Sequence, residues 1–373
     1  MPNTDVVIKL LGQQDTYKGI FAPGVTAYGF TGFQIVRAVD AAADAFAFAL
    51  PWDPAEYDKI PVRPFLKNTV EIYFKDERIL YGYIESIRAG SSVEGRMLEL
   101  QGRSATGVCL EWSAGAIYDP TGAQPKIKTE FRGMKFSDIS RTLFLSGPQG
   151  TPAVRAIPDI GPFGDEAVAD PSQSLFEFFQ GLAETAGYWG VPTADGYLEF
   201  KKLGNTAPVV DLEEGKAPLI SASASHDSTK RARWYLLSVA QWGTPTAIAA
   251  AVDATAEPAI RGTRILAEPQ QSAKNYTELV NQARSRAIMD GYSVEALVTG
   301  FTYGTGASRH VWKAGDVIRL FAPSAYVLRP TNYIIRRATL QYDETGGETT
   351  KLDLVFPELF TGGVRDITAY PFS

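Results

Sequence analysis

The sequence has little cysteine and histidine, and it lacks a long hydrophobic run. Its 373 residues include one cysteine, Cys109, and two histidines, His226 and His310. A single cysteine excludes a disulfide framework within the chain and a four-cysteine zinc site. Two histidines are too few for a histidine-rich metal site. No apolar run reaches the ~18 residues of a membrane helix, so we expect no membrane anchoring. The N-terminus has no basic segment followed by an apolar core, so we expect no signal peptide.

An excess of positive charge is also missing. The formal net charge is -6 and the sequence pI is about 5.2. A protein that binds nucleic acids generally needs a basic surface to replace the counterions of the phosphates. The composition therefore argues against a general nucleic-acid-binding function.

Apolar and polar residues alternate in short segments over the first hundred residues. The segments are "DVVIKL", "FQIVRAV", "AFAFAL", "TVEIYF", "RILYGYIESIRA" and "GRMLELQGR". Alternation with a period of two is typical of strands that are buried on one face. The pattern predicts antiparallel strands in a small barrel or sandwich, which protects the edges of a sheet.

The middle of the chain predicts helices. "KFSDISRTLFLSG" favours a short helix with Ser137 as its N-cap and Gly147 as its stop. "DPSQSLFEFFQGLAETAGY" favours a second helix with Ser172 as the cap and Gly187 at its end. Its apolar residues have the spacing of one buried stripe: Leu175, Phe178, Phe179 and Leu182. With a hairpin predicted around residues 194–196, these elements indicate an α+β insertion at about 104–205.

Strand character resumes at about residue 217 with "LISASASHD" and "ARWYLLSVAQW". The segment 245–260, rich in Ala, Thr and Pro, is expected to be a loop or an extended arm. "NYTELVNQARSRAIMDGY" predicts a helix at about 277–290, with Thr277 as its cap and Gly291 as its stop.

A similar passage occurs twice in the chain. "PFLKNTVEIYF" from Pro64 and "HVWKAGDVIRLF" from His310 each place a turn before an alternating strand. "ILYGYIESIRAGSSVEGRMLELQGR" follows the first, and "NYIIRRATLQYDETGGETTKLDLVFP" follows the second. Any two antiparallel hairpins look alike, but three matched elements in the same order favour a duplicated β-domain.

These passages resemble the baseplate hub proteins of contractile-tailed phages, the Mu-like hub or late control protein D family, with related hubs in R-type bacteriocins and contractile injection systems. The resemblance covers most of the chain through the order of its elements. In the first passage it includes the glycine-bearing strand "YGYI" with Gly82, followed by Gly102 and Arg103 in "GRSATGVCLEWSA". In the second it includes the "W-K-x-G-D-V" turn and the closing "L-D-L-x-x-P". The turn contributes Trp312, Gly315 and Asp316, so these six residues are the structural motif positions.

The resemblance implies a mainly β fold with two tail-tube-like antiparallel β-barrel domains and a smaller helix-containing domain. We expect the first barrel at 1–103, completed by about 206–225. The α+β insert occupies 104–205, the second barrel occupies 226–360, and a C-terminal tail follows at 361–373.

The resemblance also implies a homotrimer whose six barrels form a pseudo-sixfold ring between a sixfold tail tube and a threefold central spike. The implied partners are further copies of the chain, the spike, a tail tube or tube-initiator protein, and baseplate wedge proteins. DNA would pass through the channel without specific binding. The implied location is the virion tail baseplate, assembled in the host cytoplasm, and neither an enzymatic activity nor a cofactor is expected.

Other segments contain residues that could support chemistry. The three carboxylates of "DLEEG" (Asp211, Glu213 and Glu214) could form a glycosidase pair, but a solvated turn is the commoner role. "ASHDS" places His226 beside Asp227 and two serines, yet adjacency in sequence is poor evidence for a catalytic triad. "TGFTYGTGAS" lacks the Gly-Lys-Ser/Thr of a phosphate loop. The basic "TKRARW" at 229–234 is interpreted as a solvated strand end, and Cys109 as a small core residue. We therefore predict no catalytic and no metal-binding residues.

Two other functions remain open from the sequence. A tail-associated carbohydrate-binding or cell-wall-degrading β-protein would need an exposed aromatic platform or a carboxylate pair in a cleft. A tail-tube protein is disfavoured by length, because two barrels and an insert exceed one tube unit.

Overall fold

The structure is a computed structural model, and most of the chain is described in it. The described residues are 5–11, 13–15, 20–22, 25–27, 32–39, 41–51, 53, 62, 68–92, 95–117, 126–145, 154–155, 157–164, 167–184, 186–227, 229, 231–241, 244–253, 262–266, 276–304, 306–343 and 346–361. The C-terminal tail predicted after residue 361, and Gly147, lie outside them.

Strands dominate the structure. In chain order they are β1 (Val6–Leu10), β2 (Gln13–Asp15), β3 (Ile20–Ala22), β4 (Val25–Ala27), β5 (Gly32–Ala38), β6 (Ala45–Pro51), β7 (Asn68–Phe74), β8 (Glu77–Ser92), β9 (Gly95–Ser104), β10 (Ala116–Ile117), β11 (Lys126–Ile127), β12 (Val154–Arg155), β13 (Trp189–Pro192), β14 (Leu198–Lys201), β15 (Asp211–Glu213), β16 (Leu219–His226), β17 (Trp234–Gln241), β18 (Thr244–Val252), β19 (Thr263–Leu266), β20 (Tyr292–Thr299), β21 (Thr302–Tyr303), β22 (His310–Val311), β23 (Val317–Ala322), β24 (Val327–Asp343) and β25 (Gly347–Val355).

Helices are few. The α-helices are α1 (Val108–Glu111), α2 (Phe136–Leu145), α3 (Leu175–Glu184), α4 (Tyr276–Asp290) and α5 (Glu358–Thr361), and short 3₁₀ turns lie at Ala105–Gly107, Gly306–Ser308 and Pro323–Ala325. The predicted mainly β fold with a helix-containing insert is confirmed.

One sheet of 13 strands joins the two β-rich parts of the chain. Its order is β16-β20-β25-β24-β5-β6-β9-β8-β7-β1-β4, with β23 beside β24 and β15 beside β23. Strands β1 and β4–β9 come from the first part, called here the first half. Strands β15, β16, β20 and β23–β25 come from the second part, called here the second half. The two halves meet where β24 pairs with β5.

The main core runs continuously through both halves. On β7 the buried residues Val70, Ile72 and Phe74 alternate with partly exposed ones, as the sequence pattern predicts. Phe301 of the second half is fully buried, and its ring centroid lies 6.2 Å from that of Phe33 and 5.4 Å from that of Phe74. The halves therefore share side chains as well as backbone pairing.

The insert has its own core, built on α2, α3 and the hairpin β13–β14. The predicted apolar stripe of α3 is buried there, together with Phe136, Phe200 and Cys109. The hairpin predicted around residues 194–196 is confirmed, with Gly196 at φ +84° in its turn.

The N-terminus of α3 differs from the prediction. Ser174, not Ser172, is the N-cap: its Oγ accepts a hydrogen bond from the Glu177 amide at 3.2 Å, and Glu177 Oε2 accepts one from the Ser174 amide at 3.0 Å. This is a capping box, which requires Glu or Gln three residues after the cap. Ser172 instead bonds the Asp170 carboxylate in the preceding turn. The predicted caps Ser137 and Thr277 also lie inside helices, one residue after the first residue of α2 and of α4.

A third small unit lies between β16 and β20 in the chain. Strands β18, β17 and β19 form their own sheet, and α4 packs on it through Val280 and Ala287 against Tyr235 and Leu237. The prediction of a loop or an extended arm at 245–260 is wrong over the first part of this segment. Residues Thr244–Val252 are a strand antiparallel to β17, because neighbouring strands can hold a run of Ala and Thr without strong alternation. Residues 254–261 lie outside the described part.

Candidate assembly surface

The duplicated passage is a duplicated three-strand meander. Strands β7, β8 and β9 pair consecutively in the first half, and strands β23, β24 and β25 do so in the second. The middle strand is long in both, with 16 residues in β8 and 17 in β24. The three elements matched in the sequence therefore take the same order in space.

A bulge fixes the alignment of the two meanders. In β8 the register shifts between Ile84 and Ser86, and in β24 it shifts between Ile335 and Arg337, each time against the third strand of the meander. One extra residue therefore stands out of the pairing in each, Glu85 in β8 and Arg336 in β24. Because a bulge inserts one residue at a defined place, it aligns Ile84 with Ile335.

The junction between the halves uses the part of β24 beyond this bulge. Arg337 to Asp343 pair residue by residue with Ala38 to Gly32 of β5, in antiparallel order. The amide of Val39 continues the ladder by donating to the carbonyl oxygen of Arg336 at 3.0 Å. The earlier part of β24 pairs with β23. One strand therefore belongs both to the meander and to the junction.

A buried ion pair stands beside the junction. Arg37 on β5 is 5% exposed, and its Nε lies 3.7 Å from Asp44 Oδ2. The same guanidinium donates to the backbone carbonyl oxygens of Ile79 and Trp312, which belong to different halves. Burial raises the pKa of Asp44 to about 7, although the nearby Arg37 charge acts to lower it. Arg37 therefore joins the halves through backbone contacts.

Three of the predicted motif residues form the turn before β23. Trp312 is fully buried, and its ring packs on Tyr303. Its backbone amide donates a hydrogen bond to the carbonyl oxygen of Phe301 at 3.0 Å. Gly315 has φ +93°, a conformation that favours glycine. The Asp316 carboxylate accepts a hydrogen bond from the Tyr303 hydroxyl at 3.2 Å, and burial raises the pKa of Asp316. These residues position the start of the second meander.

Gly82 and Gly102 stand where the paired strands β8 and β9 approach each other closely, and this place is called here the crossing of β8 and β9. A Cβ on Gly82 would lie 2.2 Å from the Arg103 carbonyl oxygen, and a Cβ on Gly102 would lie 2.0 Å from the Tyr83 carbonyl oxygen. No side chain fits at such distances, so the first meander requires glycine at both positions.

Arg103 follows this crossing and is partly exposed. Its Nε lies 2.7 Å from Glu85 Oε2, and its Nη2 lies 2.6 Å from Glu111 Oε1. The arginine thus connects the bulge residue of β8 to helix α1. The six motif residues form two groups, one on β8 and β9 and one in the turn before β23.

The insert lies against both halves. A cavity of about 200 Å³ lies between β5, the hairpin β13–β14 and the turn before β23, and Arg37, Asp44, Glu199, Lys201 and Lys313 supply its charged lining. Beside it, Arg78 on β8 forms an ion pair with Asp195 in the hairpin turn at 2.5 Å. The insert is therefore held at the same region as the junction.

The residues considered for catalysis have other partners. Glu214 accepts hydrogen bonds from the amide and hydroxyl of Ser324, Glu213 pairs with Lys216, and Asp211 lies 3.8 Å from Arg319. The His226 ring packs on Tyr292, and burial lowers the pKa of His226.

Asp227, beside His226 in the chain, accepts hydrogen bonds from the amide and hydroxyl of Thr229. In the basic run, Arg231 binds the Asp253 carboxylate at 2.7 Å. The three glycines of "TGFTYGTGAS", Gly300, Gly304 and Gly306, all have positive φ and form turns.

Metal sites and membrane-spanning helices are absent from the part of the chain that the structure describes. Within it, no group of three or more His, Cys, Asp or Glu side chains is arranged to hold a metal ion. No helix there is long and apolar enough to cross a membrane.

Sequence reasoning missed two residues that hold the halves together, Arg37 and Phe301. Arg37 is a charged residue in the apolar strand "FQIVRAV", which is a signal that a partner must be buried with it. Phe301 follows a turn glycine, and the sequence carries no sign that its partners lie in the first half.

Solved structures of similar fold are known. The tail protein from Neisseria meningitidis MC58 matches with a TM-score of 0.71 and 14% identity, over 97% of this chain and 99% of that one. The 43 kDa tail protein of prophage MuSo2 from Shewanella oneidensis matches with a TM-score of 0.73 and 17% identity, over 96% of this chain and 98% of that one.

A type VI secretion system component from E. coli is similar at a TM-score of 0.50 and 10% identity, over 88% of this chain and 73% of that one. That protein is itself described as similar to the bacteriophage T4 tail proteins gp27 and gp5. No protein-family model and no curated protein matches the chain. The likenesses show that this chain has a fold shared with phage tail proteins.

Proposed function

We propose that the chain is a structural baseplate hub of a contractile tail. Three copies form a ring of six β-halves that joins the tail tube to the central spike, with a channel for DNA or an effector. The observation that carries the proposal is the duplicated meander with its bulge at the same place, Glu85 in one half and Arg336 in the other. A threefold protein that presents six equivalent units can match a sixfold tube on one face.

The fold supports this proposal. The chain is similar over nearly its whole length to two tail proteins, and it is similar to a component of a type VI secretion system. The partners that follow are further copies of the chain, the spike, the tube or its initiator, and baseplate wedges. The location that follows is the virion baseplate, with assembly in the host cytoplasm.

The contacts of the polar groups also favour a structural role. The carboxylates that could have formed a glycosidase pair have other partners. Glu214 accepts a hydrogen bond from Ser324. Glu213 and Asp211 form ion pairs with Lys216 and Arg319. Two of the tryptophans that could have formed a sugar-binding platform, Trp189 and Trp312, pack against Phe360 and Tyr303. The function proposed here has no catalytic residue and no cofactor.

The native mass of the purified chain tests the proposal, combined with electron microscopy of the same particles. We expect a mass three times the monomer's 40.6 kDa and a threefold ring with an open centre. If the isolated chain is a monomer, the measurement is repeated with spike or tube protein added. A chain that stays monomeric with each of these partners contradicts the hub, as does hydrolysis of cell-wall carbohydrate by the pure protein.

A further inference from the structure

Within the part of the chain that the structure describes, the internal repeat leaves one strand edge in each half without a strand partner. In the second half, the part of β24 beyond the bulge is covered by β5. The equivalent part of β8 is Ser86–Ser92, which pairs with β9 on one side and, within the described residues, with no strand on the other. Among the described strands, the first meander therefore has an unpaired edge where the second one is covered.

The strand that should cover this edge can be identified by the same alignment. In the first half, β5 lies beside β6, and β6 lies beside β9. In the second half, β16 lies beside β20, and β20 lies beside β25. Strand β16 is therefore the equivalent of β5, and in the described part of the chain β20 is its one strand neighbour.

We propose that β16 of one copy of this chain pairs antiparallel with Ser86–Ser92 of β8 in the next copy, repeating the β5–β24 junction between subunits. This inference rests on the proposed ring and names the two edges that close it. The two edges are different surfaces of the same chain, so the contact between copies is heterologous. Such contacts close into a ring when the rotation between neighbouring copies is a whole fraction of a turn.

The registers of the existing ladders fix the register of the new one. Ile35 pairs with Leu340 in the junction, and the alignment places Ala224 at the position of Ile35 and Ala89 at that of Leu340. The expected pairs are Ile87 with His226, Arg88 with Ser225, Ala89 with Ala224, Gly90 with Ser223, and Ser91 with Ala222.

The side chains on the two edges agree with this pairing. Ile87, Ala222 and Ala224 are partly buried and pack against the main core, as the inward residues of the junction do. Gly90 and Ser223 are exposed, and they align with Gln341 and Gln34, which are also exposed in the junction.

Strand β16 also lacks the usual protection of a free edge. Edge strands in natural proteins commonly carry lysine, proline or another charge that prevents pairing with another chain. From Leu219 to Ser225 the sequence is "LISASAS", with no charge and no proline. Such an edge suits a strand that is covered in the assembled protein.

Cysteine cross-linking of the full chain tests the register. G90C combined with S223C is expected to give a covalent trimer after oxidation, seen on a denaturing, non-reducing gel. The matched control is Q34C with Q341C, the equivalent pair inside one chain, which should oxidise without increasing the denatured mass. The out-of-register control R88C with S221C should give no covalent trimer, because its cysteines would lie ~13 Å apart. The native Cys109 is buried and stays in place.

Two charge variants provide a second, independent measurement. Ala89 is exposed in the single chain but aligns with Leu340, which is fully buried. A89D should therefore leave the melting temperature of the monomer unchanged. It should raise the dissociation constant of the trimer by at least ~10-fold, because the pairing of β16 with β8 would bury the new carboxylate. G90D puts the same charge on the outward face and should assemble normally.

The outcomes separate this inference from the proposed function. A trimer by native mass in which G90C/S223C does not cross-link overturns the edge pairing and leaves the hub standing. An open-ended polymer overturns ring closure. A chain that is monomeric at every concentration also overturns the inference, because its two edges need no other protein. If added spike or tube protein then produces a ring, the hub survives without it.

Discussion

The guanidinium of Arg37 donates a hydrogen bond to the carbonyl oxygen of Trp312, 3.4 Å away, across the boundary between the two halves of the chain. The two residues are 275 positions apart in sequence. The same side chain forms an ion pair with Asp44. A buried cation thus ties the first strand of the junction to the turn that begins the second meander.

The first prediction concerns Asp44 and pH. Burial raises the pKa of this carboxyl to about 7, above the ~3.9 expected in an unfolded chain. From about pH 4 to pH 7 the unfolded chain therefore releases a proton that the folded chain keeps, so Asp44 makes the fold less stable as the pH rises. In D44N this contribution is absent. The free energy of unfolding of D44N minus that of the parent should rise over this range, measured by urea denaturation at several pH values. D76N, at an exposed turn, is the control, and a flat difference for D44N would contradict the prediction.

The second prediction concerns the crossing of β8 and β9. G102A places a Cβ against the Tyr83 carbonyl oxygen and the Phe46 ring, and we expect it to lower the free energy of unfolding by about 3 kcal/mol through strain. G90A is the matched control on the same sheet, because a Cβ there has no atom within 4 Å. We expect it to change the stability by less than about 1 kcal/mol. Equal effects of the two substitutions would be inconsistent with a close crossing.

The third prediction concerns the shared core. F301A removes a fully buried ring that contacts Phe33 and Phe74 of the first half. We expect a loss of about 3–5 kcal/mol in the free energy of unfolding. I265A, at a side chain that is 68% exposed, should cost less than about 0.5 kcal/mol. Calorimetry of both variants checks this, and a loss below about 1 kcal/mol for F301A would rule out a core shared between the halves.

The fourth prediction concerns the start of α3. S174A removes the hydroxyl that accepts from the Glu177 amide and should cost about 1 kcal/mol. S172A removes the residue that the sequence favours as the cap, and its cost should be smaller because it does not bond the helix. Thermal unfolding of the two variants distinguishes the two candidate caps. A larger loss of stability in S172A than in S174A would show that Ser172 is the N-cap.

The sequence predicts the local features of this fold well. The stripe Leu175, Phe178, Phe179 and Leu182 is buried as its spacing requires, and the alternating residues of β7 are buried on one side. These patterns depend on residues only two to four positions apart, and those spacings are set by the geometry of a single helix or strand.

The features that join distant segments are not predicted in the same way. The order of the strands within each meander can be predicted from the alternation of apolar and polar residues. The bulges at Glu85 and Arg336, which fix the alignment of the two meanders, cannot be predicted in this way. The pairing of β5 with β24 and the position of Phe301 depend on which strands meet in space. Hydrophobic periodicity shows which face of a strand is buried, but it carries no information about the neighbouring strand.

The long separation of β5 and β24 in sequence affects how the protein is made. Gly32–Ala38 leaves the ribosome early, but its partner on the far side, Arg337–Asp343, emerges only after some 300 further residues. Throughout that interval the first half has an open strand edge, and a nascent or truncated chain can pair there with the wrong partner. Prematurely terminated chains should therefore aggregate. In this molecule the edge of β5 is covered only by a strand that is translated some 300 residues after it.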